Sequence, residues 1–307
     1  MRNLGSKKAL AVTAVIILLA LLPLFGPAYT LVLLSNIFMY VVLTVSWVAF
    51  CGPSGYISLA SAAFFGAGIY AAAALSFKIP FPLIVLVGAV IGFCLAFLVG
   101  IVSLRLRGIY FAMFTFGFVE LLLHFVLWYE VKVTGTTGRV VLTLSNQAVY
   151  YVMLALSLLT IFFAYYLHNS RYGMALRSIG ENEIAAEHIG IDTQKLKIMT
   201  YALSSSFIGA CGVIMATRWT YIDPKIAFNP LYSFIPIFMA IFGGMQKLYG
   251  PIIGAVLFAY VQEVLTTRIP YLYMLFFGLL MVFMIAYLPE GIISLIEMKA
   301  IRKFKGQ

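Results

Sequence analysis

The sequence predicts an all-α integral membrane protein: one domain, residues 1–307, folded as a polytopic bundle of about ten transmembrane helices. Hydrophobic residues make up 64% of the chain and charged residues only 10%, against about 25% charged residues in a soluble domain. Apolar runs long enough to cross a bilayer recur along the chain. One long polar stretch, residues 168–194, interrupts them. Composition and pattern together exclude a soluble globular protein.

The first half of the chain predicts six of the spans. No charged residue occurs from Ala9 to Phe77, and at about 20 residues per span this run holds three helices. Pro23–Pro27 and Cys51–Gly55 separate the three. The next spans are Phe81–Leu104, Ile109–Tyr129 and Gln147–Leu167. The basic residues before Ala9 are typical of a signal peptide, but no small-residue cleavage site follows, so we expect the first run to remain as a span.

The second half predicts four spans and a weak internal repeat. The spans are Leu196–Thr217, Pro230–Gln246, Gly250–Thr267 and Ile269–Leu288. Two Gly-rich patches, Gly55–Gly68 and Gly243–Gly254, fall in roughly corresponding places of the two halves. Small residues let helices approach closely, and Gly-interrupted apolar segments also mark broken helices around a central pathway. Broken helices and ordinary close packing both fit this pattern.

The distribution of Lys and Arg predicts the orientation of the bundle. With ten spans and the N-terminus inside, six of the twenty basic residues fall on the outer side, which leaves fourteen inside. The six are Lys78, Lys132, Arg139, Arg218, Lys225 and Arg268. Basic residues favour the cytoplasmic side of a membrane. Both termini and the polar stretch are therefore expected in the cytoplasm, and the net charge of +10 indicates orientation rather than nucleic-acid binding.

Residues 168–194, called the polar segment below, have the pattern of short helices in a cytoplasmic loop. Arg177 and Glu181 stand four residues apart and could pair on one helix face. Ser178 with Glu181 has the spacing of a capping box, and Gly190 predicts a helix end. Small and apolar residues between the charges offer a face that another protein could bind. A merely solvated loop is the alternative.

The fifth predicted span contains two ionisable residues, Glu120 and His124. An ionised side chain inside a membrane is costly and usually functional, although a carboxyl bonded to a neighbouring helix is an equal alternative. The two residues lie one helical turn apart and could form a pair. Such a pair would be the proton relay of an ion-coupled secondary transporter.

The sequence predicts no metal site, no cofactor and no enzyme. The three His residues are far apart and lack H-E-x-x-H spacing. Cys51, Cys94 and Cys211 lie in apolar segments without ligand spacing or a disulfide framework. A membrane-embedded enzyme would need Asp, His or Cys clustered at a membrane face. No G-x-x-x-x-G-K-[ST] loop occurs, so transport would be passive, or driven by an ion gradient or a partner.

Several stretches, taken in order, resemble one protein family. They are G-Y-I-S-L-A-S-A-A-F-F-G-A-G-I-Y from Gly55, R-L-R-G-I-Y-F from Arg105, V-T-G-T-T-G from Val133, S-R-Y-G-M-A-L-R-S-I-G-E-N-E from Ser170 and F-G-G-M-Q-K-L-Y-G-P from Phe242. Together they resemble the permease subunits of branched-chain amino-acid ABC importers, and more closely the LivM-like type. The chain departs from the family pattern at Ser61, where many relatives have His, and at Gly180-Glu181, where relatives often have Arg-Asp. These departures weaken an assignment of the substrate, not of the fold.

The resemblance implies a multi-pass permease subunit of the cytoplasmic (inner) membrane that carries leucine, isoleucine and valine, or a related small solute such as urea or a short amide. Besides lipid, it implies three kinds of partner: cytoplasmic ATPase subunits, a second permease, identical or homologous, and an extracytoplasmic substrate-binding protein. It also implies that the polar segment docks into the ATPase. The residues expected to do so are Gly173, Ala175, Leu176, Arg177, Glu181, Glu183, Ala185, Ala186 and Gly190. Candidate pathway or intramembrane polar residues are Ser58, Ser61, Glu120 and His124.

Overall fold

The computed structural model describes residues 2–245 and 247–269, together with isolated positions beyond them, and side chains from Thr13 onwards. Over this part of the chain the protein is helical apart from one two-stranded ribbon. The helices are α1 (Arg2–Phe25), α2 (Ala28–Ser54), α3 (Ser61–Leu75), α4 (Phe81–Ser103), α5 (Ile109–Tyr129), α6 (Asn146–Asn169), α7 (Arg171–Glu181), α8 (Glu183–His188), α9 (Thr193–Ala216), α10 (Pro224–Ala227), α11 (Leu231–Gly243) and α12 (Tyr249–Arg268). A π-helical turn, Glu130–Thr134, continues α5, and β1 (Arg139–Val140) pairs antiparallel with β2 (Tyr221–Ile222).

Seven segments of the described chain are long and apolar enough to cross a membrane: α2, α4, α5 with its π turn, α6, α9, α10 with α11, and α12. α1 contributes a shorter apolar stretch, Thr13–Phe25. The third predicted span is shorter than expected, because α3 has 15 residues and is about 22 Å long, against a hydrocarbon core of about 30 Å. The predicted tenth span, Ile269–Leu288, extends outside the described residues.

Helices α2 and α9 form the centre of the bundle, and most of their residues are buried. α9 packs against α3 and α4, and α2 packs against α6 and α12. Glycines set the spacing around α9: Gly68, Gly88 and Gly92 all lie against Gly209, and a Cβ on Gly68 would collide with the Gly209 carbonyl oxygen. Such close approach is how membrane helices associate, because lipid tails provide no hydrophobic force between helices.

The connection from α2 to α3, residues 55–60, is not helical and buries every second side chain, those at positions 56, 58 and 60. Buried backbone polar groups without secondary structure need hydrogen-bond partners from elsewhere in the protein. Side chains of other helices satisfy the polar groups of this connection. The Trp47 indole N–H donates to the Ser58 carbonyl oxygen at 2.8 Å, and the Leu59 N–H donates to the Thr115 hydroxyl at 3.0 Å. The interruption lies within the first Gly-rich patch.

The bundle has two different ends. At the polar-segment end, α7 contacts the C-terminus of α2 through Gly180 and Pro53, and Lys197 near the start of α9 bonds to the turn after α4. At the other end, called the ribbon end, β1 and β2 join the chain after α5 to the chain after α9. There Arg218 donates a hydrogen bond to Asn36 near the start of α2. α2 and α9 therefore run in opposite directions.

The packing of α2, α3 and α4 is repeated by α9, α11 and α12. Each set is long, short and long, with 27, 15 and 23 residues in the first and 24, 13 and 20 in the second. α3 packs against α4 and α9, and correspondingly α11 packs against α12 and α2. α4 contacts α9 as α12 contacts α2. Because α2 and α9 are antiparallel, this is the pattern that an inverted repeat produces.

We expect Gly209→Ala to destabilise the bundle, because the new methyl group would meet the Gly88 carbonyl oxygen and the Cα of Gly92 on α4. Overpacking of this kind costs about 1–3 kcal/mol, so the thermal unfolding midpoint of the purified protein in detergent should fall. Gly117→Ala is the matched control, since a Cβ at this position on α5 has no described atom within 4 Å. Equal midpoints for the two variants would contradict the packing of α9 on α4.

Candidate functional site

Three capping side chains divide the polar segment into helices. Ser170 accepts a hydrogen bond from the Gly173 N–H at 3.2 Å and begins α7, and Asn182 accepts from the Ala185 N–H at 3.1 Å and begins α8. Asp192 caps α9 in the same way. Each such cap stabilises its helix by about 1 kcal/mol. The segment therefore crosses the end of the bundle as two short helices rather than as an irregular loop.

One local prediction for the polar segment is wrong and another is confirmed. Ser178 does not cap a helix, because it lies inside α7, where its hydroxyl donates to the Met174 carbonyl oxygen. The residue that caps a helix in this region is Asn182, which starts α8. Gly190 has a φ of +87° just after α8, as the predicted helix end requires.

The predicted pair of Arg177 and Glu181 is also wrong, since no ion pair within 4 Å joins these side chains among those of the described chain. The Arg177 guanidinium donates instead to the carbonyl oxygens of Gly173 and His168. It thereby satisfies carbonyl groups where α6 ends and α7 begins. Glu181 is left exposed at the end of α7.

The inner face of α7 is pressed onto the bundle. Leu176 is fully buried. Two glycines allow the helix backbone to touch its neighbours: a Cβ on Gly173 would collide with the Leu167 carbonyl oxygen of α6, and one on Gly180 with the Pro53 carbonyl oxygen of α2. These contacts hold α7 at a fixed position against α2 and α6.

The predicted coupling residues divide between an inner and an outer face. Gly173, Leu176 and Ala186 are buried, Ala175 and Glu183 are partly buried, and Arg177, Glu181, Ala185 and Gly190 are exposed. Because the buried residues hold the segment on the bundle, only the exposed ones are open to a partner. Four large apolar side chains of the polar segment are exposed as well, and the name exposed apolar face is used below for this set: Tyr172 (48%), Met174 (59%), Ile184 (55%) and Ile189 (74%).

A buried lysine, Lys197, joins the polar segment to other elements of the bundle. Its side chain is 3% exposed, and its ammonium group donates to the Glu183 carboxylate of α8. The same group donates to the Tyr56 hydroxyl at 3.0 Å and to the Leu104 carbonyl oxygen at 3.2 Å. Tyr56 donates in turn to Glu183 at 2.8 Å, and the Arg107 guanidinium lies 3.3 Å from the same carboxylate.

These four side chains, Tyr56, Arg107, Glu183 and Lys197, are called the ion cluster. A buried charge without a partner costs several kcal/mol, so the position of Lys197 requires Glu183 beside it. Burial raises the pKa of Glu183, but hydrogen bonds from Lys197 and Tyr56 and the charges of Lys197 and Arg107 outweigh it and hold that pKa below its ordinary value. Glu183 is therefore ionised at neutral pH, and its contribution to stability is lost only as the pH falls through that lowered value.

Ser58 and Ser61 lie inside the bundle between α2, α3 and α9 and are nearly fully buried. The Ser58 hydroxyl is 2.8 Å from the Tyr201 hydroxyl of α9. Both serines line a small cavity that has room for about one water molecule. The hydroxyls of Ser46 and Ser204, which also line it, have no hydrogen-bond partner within the described chain. In this conformation the cavity is too small for a solute.

Glu120 and His124 meet on the outward face of α5. A Glu120 carboxylate oxygen is 3.8 Å from His124 Nε2, and the two side chains are 38% and 75% exposed. Only a few residues of α5 are buried. Because an ionisable pair facing lipid is costly, we expect another protein or a water-filled path to cover this face.

A second buried carboxylate, Glu130, organises the ribbon end, and the sequence alone did not single it out. It is fully buried and accepts hydrogen bonds from the Gly138 N–H at 2.8 Å and from Arg139 Nε at 3.4 Å. Arg139 begins β1. The carboxylate thus fixes the turn between α5 and the ribbon.

The ion cluster also escaped prediction, because Lys197 and Arg107 were interpreted only as orientation charges. One signal in the sequence could have located Lys197. It lies four residues before Tyr201, and so one helical turn away on the buried face of α9. Of the four members, only Glu183 was predicted as a functional residue.

Comparison with known proteins agrees with this architecture. Residues 29–285 match the family described as the branched-chain amino acid transport system permease component. The chain belongs to this family. It is therefore a multi-pass permease of the ABC-importer class, the membrane subunit and not the one that hydrolyses ATP.

Relatives of the permease cover most of its length at low identity. The high-affinity branched-chain amino acid transport system permease protein LivM of Escherichia coli is 26% identical over 94% of this chain and 76% of its own. LivM of Salmonella typhimurium is 27% identical over 84% of this chain and 68% of its own. The ribose import permease protein RbsC of Escherichia coli is 25% identical over 32% of each chain. No solved structure matches the chain.

We expect Glu183→Gln to destabilise the permease more than Lys197→Met. The first variant leaves a buried ammonium beside a neutral amide, whereas the second removes that charge and leaves Glu183 bonded to Tyr56 and Arg107. Removing one partner of a buried ion pair costs about 3–5 kcal/mol. Thermal unfolding midpoints in detergent measure which of the two variants is less stable. Glu187→Gln, at an exposed position of α8, is the control, and a Glu183→Gln protein as stable as this control would refute the ion cluster.

Proposed function

We propose that the chain is one permease subunit of an importer that brings branched-chain amino acids, or a related small polar solute, into the cytoplasm. Separate cytoplasmic subunits hydrolyse ATP, and an extracytoplasmic binding protein delivers the solute. The bundle has about ten spans in the cytoplasmic membrane, with both termini and the polar segment inside. The solute crosses between this subunit and a second permease, identical or homologous.

The observation that carries the proposal is the exposed apolar face of the polar segment. Its four side chains stand on α7, on α8 and just beyond α8, outside the candidate membrane spans. Large apolar side chains exposed to water become buried when a partner protein binds over them. Apolar side chains of a helix inserted into a groove are a recurrent mode of docking. In an importer of this class the partner on the cytoplasmic side is the ATPase.

The ion cluster offers a route by which the docked ATPase moves the spans. Glu183 belongs to α8 and bonds to three elements: α9 through Lys197, the connection before α3 through Tyr56, and the turn before α5 through Arg107. A displacement of α8 therefore acts on all three at once. Such coupling requires a physically connected element with two arrangements, and the cluster supplies the connection.

The outward face of α5 supports a second permease as the neighbour of this one. Glu120 and His124 are exposed near the middle of that span. Burying the pair against another subunit, or along a solute path between the two, removes the cost of exposing it to lipid. The ribbon end, with its turn fixed by Glu130, supplies an ordered surface for the binding protein.

An ion-coupled secondary transporter is the second candidate function, because Glu120 and His124 lie 3.8 Å apart and could exchange a proton. Two observations favour the importer. The pair faces outward from α5 rather than being enclosed among the helices of this chain, and the chain belongs to a family of ABC permeases.

Ile184→Arg combined with Ile189→Arg should remove the ATPase from the complex purified from native membranes. Two charges forced into an apolar docking groove should lower the recovered ATPase by about tenfold or more, since 1.4 kcal/mol is tenfold in affinity. Ile226→Arg is the control, because Ile226 is also exposed but lies on α10 at the ribbon end. Ala186 is unsuitable for this test, because it is buried. Full retention of the ATPase by the double variant would rule out docking at the exposed apolar face.

Uptake of labelled leucine by proteoliposomes that hold the complete complex should require ATP and should persist when an ionophore dissipates ion gradients. Glu120→Gln should keep that ATP requirement, because the energy enters through the polar segment and not through this carboxylate. The measurement is the initial rate of uptake with and without ATP and ionophore. Uptake that the ionophore abolishes, and that Glu120→Gln loses, would establish the secondary transporter instead.

A further inference from the structure

A cavity of about 320 Å³ lies beneath α7 at the polar-segment end. Its walls come from the C-terminal ends of α2 and α6, from α7, and from the chain around the start of α12. The volume is at the lower end of the range of roughly 300–1,000 Å³ that small-molecule pockets occupy. The proposed docking face and the ion cluster do not use this space, which is called the α7 cavity below.

One wall of the α7 cavity is apolar. Val45, Val48 and Ala49 line it from α2, and Leu248 lines it from the residue before α12. These are small and branched aliphatic side chains, and no charged residue stands among them. The wall suits an aliphatic group of a few carbon atoms, because transfer of such a group from water to an apolar surface lowers the free energy.

The α7 wall of the cavity carries charges of both signs, from Arg177 and Glu181. The Arg177 guanidinium is held by the carbonyl oxygens of Gly173 and His168 through Nε and Nη2, which leaves Nη1 for a ligand. Neither Arg177 nor Glu181 takes part in the ion pairs of the described chain. Residues four apart on a helix are neighbours, with about 5–6 Å between their Cβ atoms. The wall therefore presents one cation and one anion side by side.

We propose that the α7 cavity binds an aliphatic α-amino acid from the cytoplasm. Arg177 receives its carboxylate, Glu181 receives its ammonium group, and the aliphatic side chain lies against the α2 wall. A ligand that carries only negative charge, such as a fatty acid or an anionic lipid headgroup, is disfavoured, because Glu181 would repel it. The identity of this ligand with the transported solute rests on the proposed function, whereas binding itself does not.

Because of the position of the α7 cavity, a ligand bound there would regulate transport. α7 touches α6 and α2 through Gly173 and Gly180, at the two ends of the cavity's α7 wall. A molecule that bridges α7 and α2 stabilises this arrangement against any in which the polar segment shifts away, since a ligand favours the state it binds better. Movement of the polar segment is what the ATPase must produce. Product accumulated in the cytoplasm therefore slows its own import.

The first test is calorimetric titration of the purified permease in nanodiscs with leucine, 4-methylpentanoate and isoamylamine. Leucine should bind, and each of the other two, which lacks one charged group, should bind more weakly. Arg177→Gln and Glu181→Gln should each weaken leucine binding by about tenfold or more, the loss of one charge-assisted hydrogen bond. Arg171→Gln is the matched control, because Arg171 is exposed on the same helix and does not line the cavity.

Ala49→Leu provides a variant that leaves the charges in place and fills the apolar side of the cavity. It should lose leucine binding while its unfolding midpoint stays near that of the parent protein. Leucine binding that is unchanged in Arg177→Gln and in Ala49→Leu would overturn the proposal, as would an absence of leucine binding to the parent. 4-Methylpentanoate that binds as well as leucine would overturn the assignment of the ligand as an amino acid.

The second test is uptake by proteoliposomes that contain the complete complex and are preloaded with unlabelled leucine. Preloading should slow initial uptake in the parent and in Arg171→Gln, and the effect should disappear in Ala49→Leu, which fills the cavity and alters none of the residues expected to meet the ATPase. Slowing that is equal in all three would overturn the regulatory role. If no protein shows ATP-driven uptake, the proposed function fails, and the titration still decides whether the α7 cavity binds an amino acid.

Discussion

The position of the polar segment depends on one buried charge, the Lys197 ammonium group. Water does not reach it freely, so its partners must come from the protein, and they come from α8, from the connection after α2 and from the turn after α4. The same rule applies to residues 55–60, whose backbone bonds to Trp47 and Thr115 because buried backbone polar groups need hydrogen-bond partners. Tyr56 belongs to both arrangements. The end of the bundle is therefore one connected structure and not a set of independent loops.

Stability alone does not explain why an ion cluster connects these elements. Apolar side chains of similar volume often stabilise a protein as well as a buried ion pair or better. Charged contacts fix the position of α8 along its neighbours. The Glu183 carboxylate has its partners where Lys197, Tyr56 and Arg107 converge, and it loses them if α8 slides. An apolar contact would tolerate intermediate positions. The proposed coupling, in which the polar segment is either in place or displaced, therefore favours charged contacts over apolar ones.

The sequence predicted the parts of the fold that depend on local pattern. α4, α5 and α6 were located within a few residues, because a long apolar run admits little else. The length of α3 was wrong, since it is set by the buried connection at residues 55–60, which only tertiary contacts stabilise. The ion cluster was missed for the same reason. Tyr56 and Glu183 are 127 positions apart, and nothing in either neighbourhood indicates that they meet.

The repeated packing of α2–α4 and of α9, α11 and α12 gives the polar segment a particular place in the molecule. It lies in the chain between the two sets, immediately before α9, and it contacts α2 of the first set as well as α9 of the second. These two helices form the centre of the bundle and run in opposite directions. A force applied to the polar segment therefore reaches the C-terminus of one central helix and the N-terminus of the other together. In the proposed importer, one docked ATPase would thus shift the two halves relative to each other without a second point of attachment on this chain.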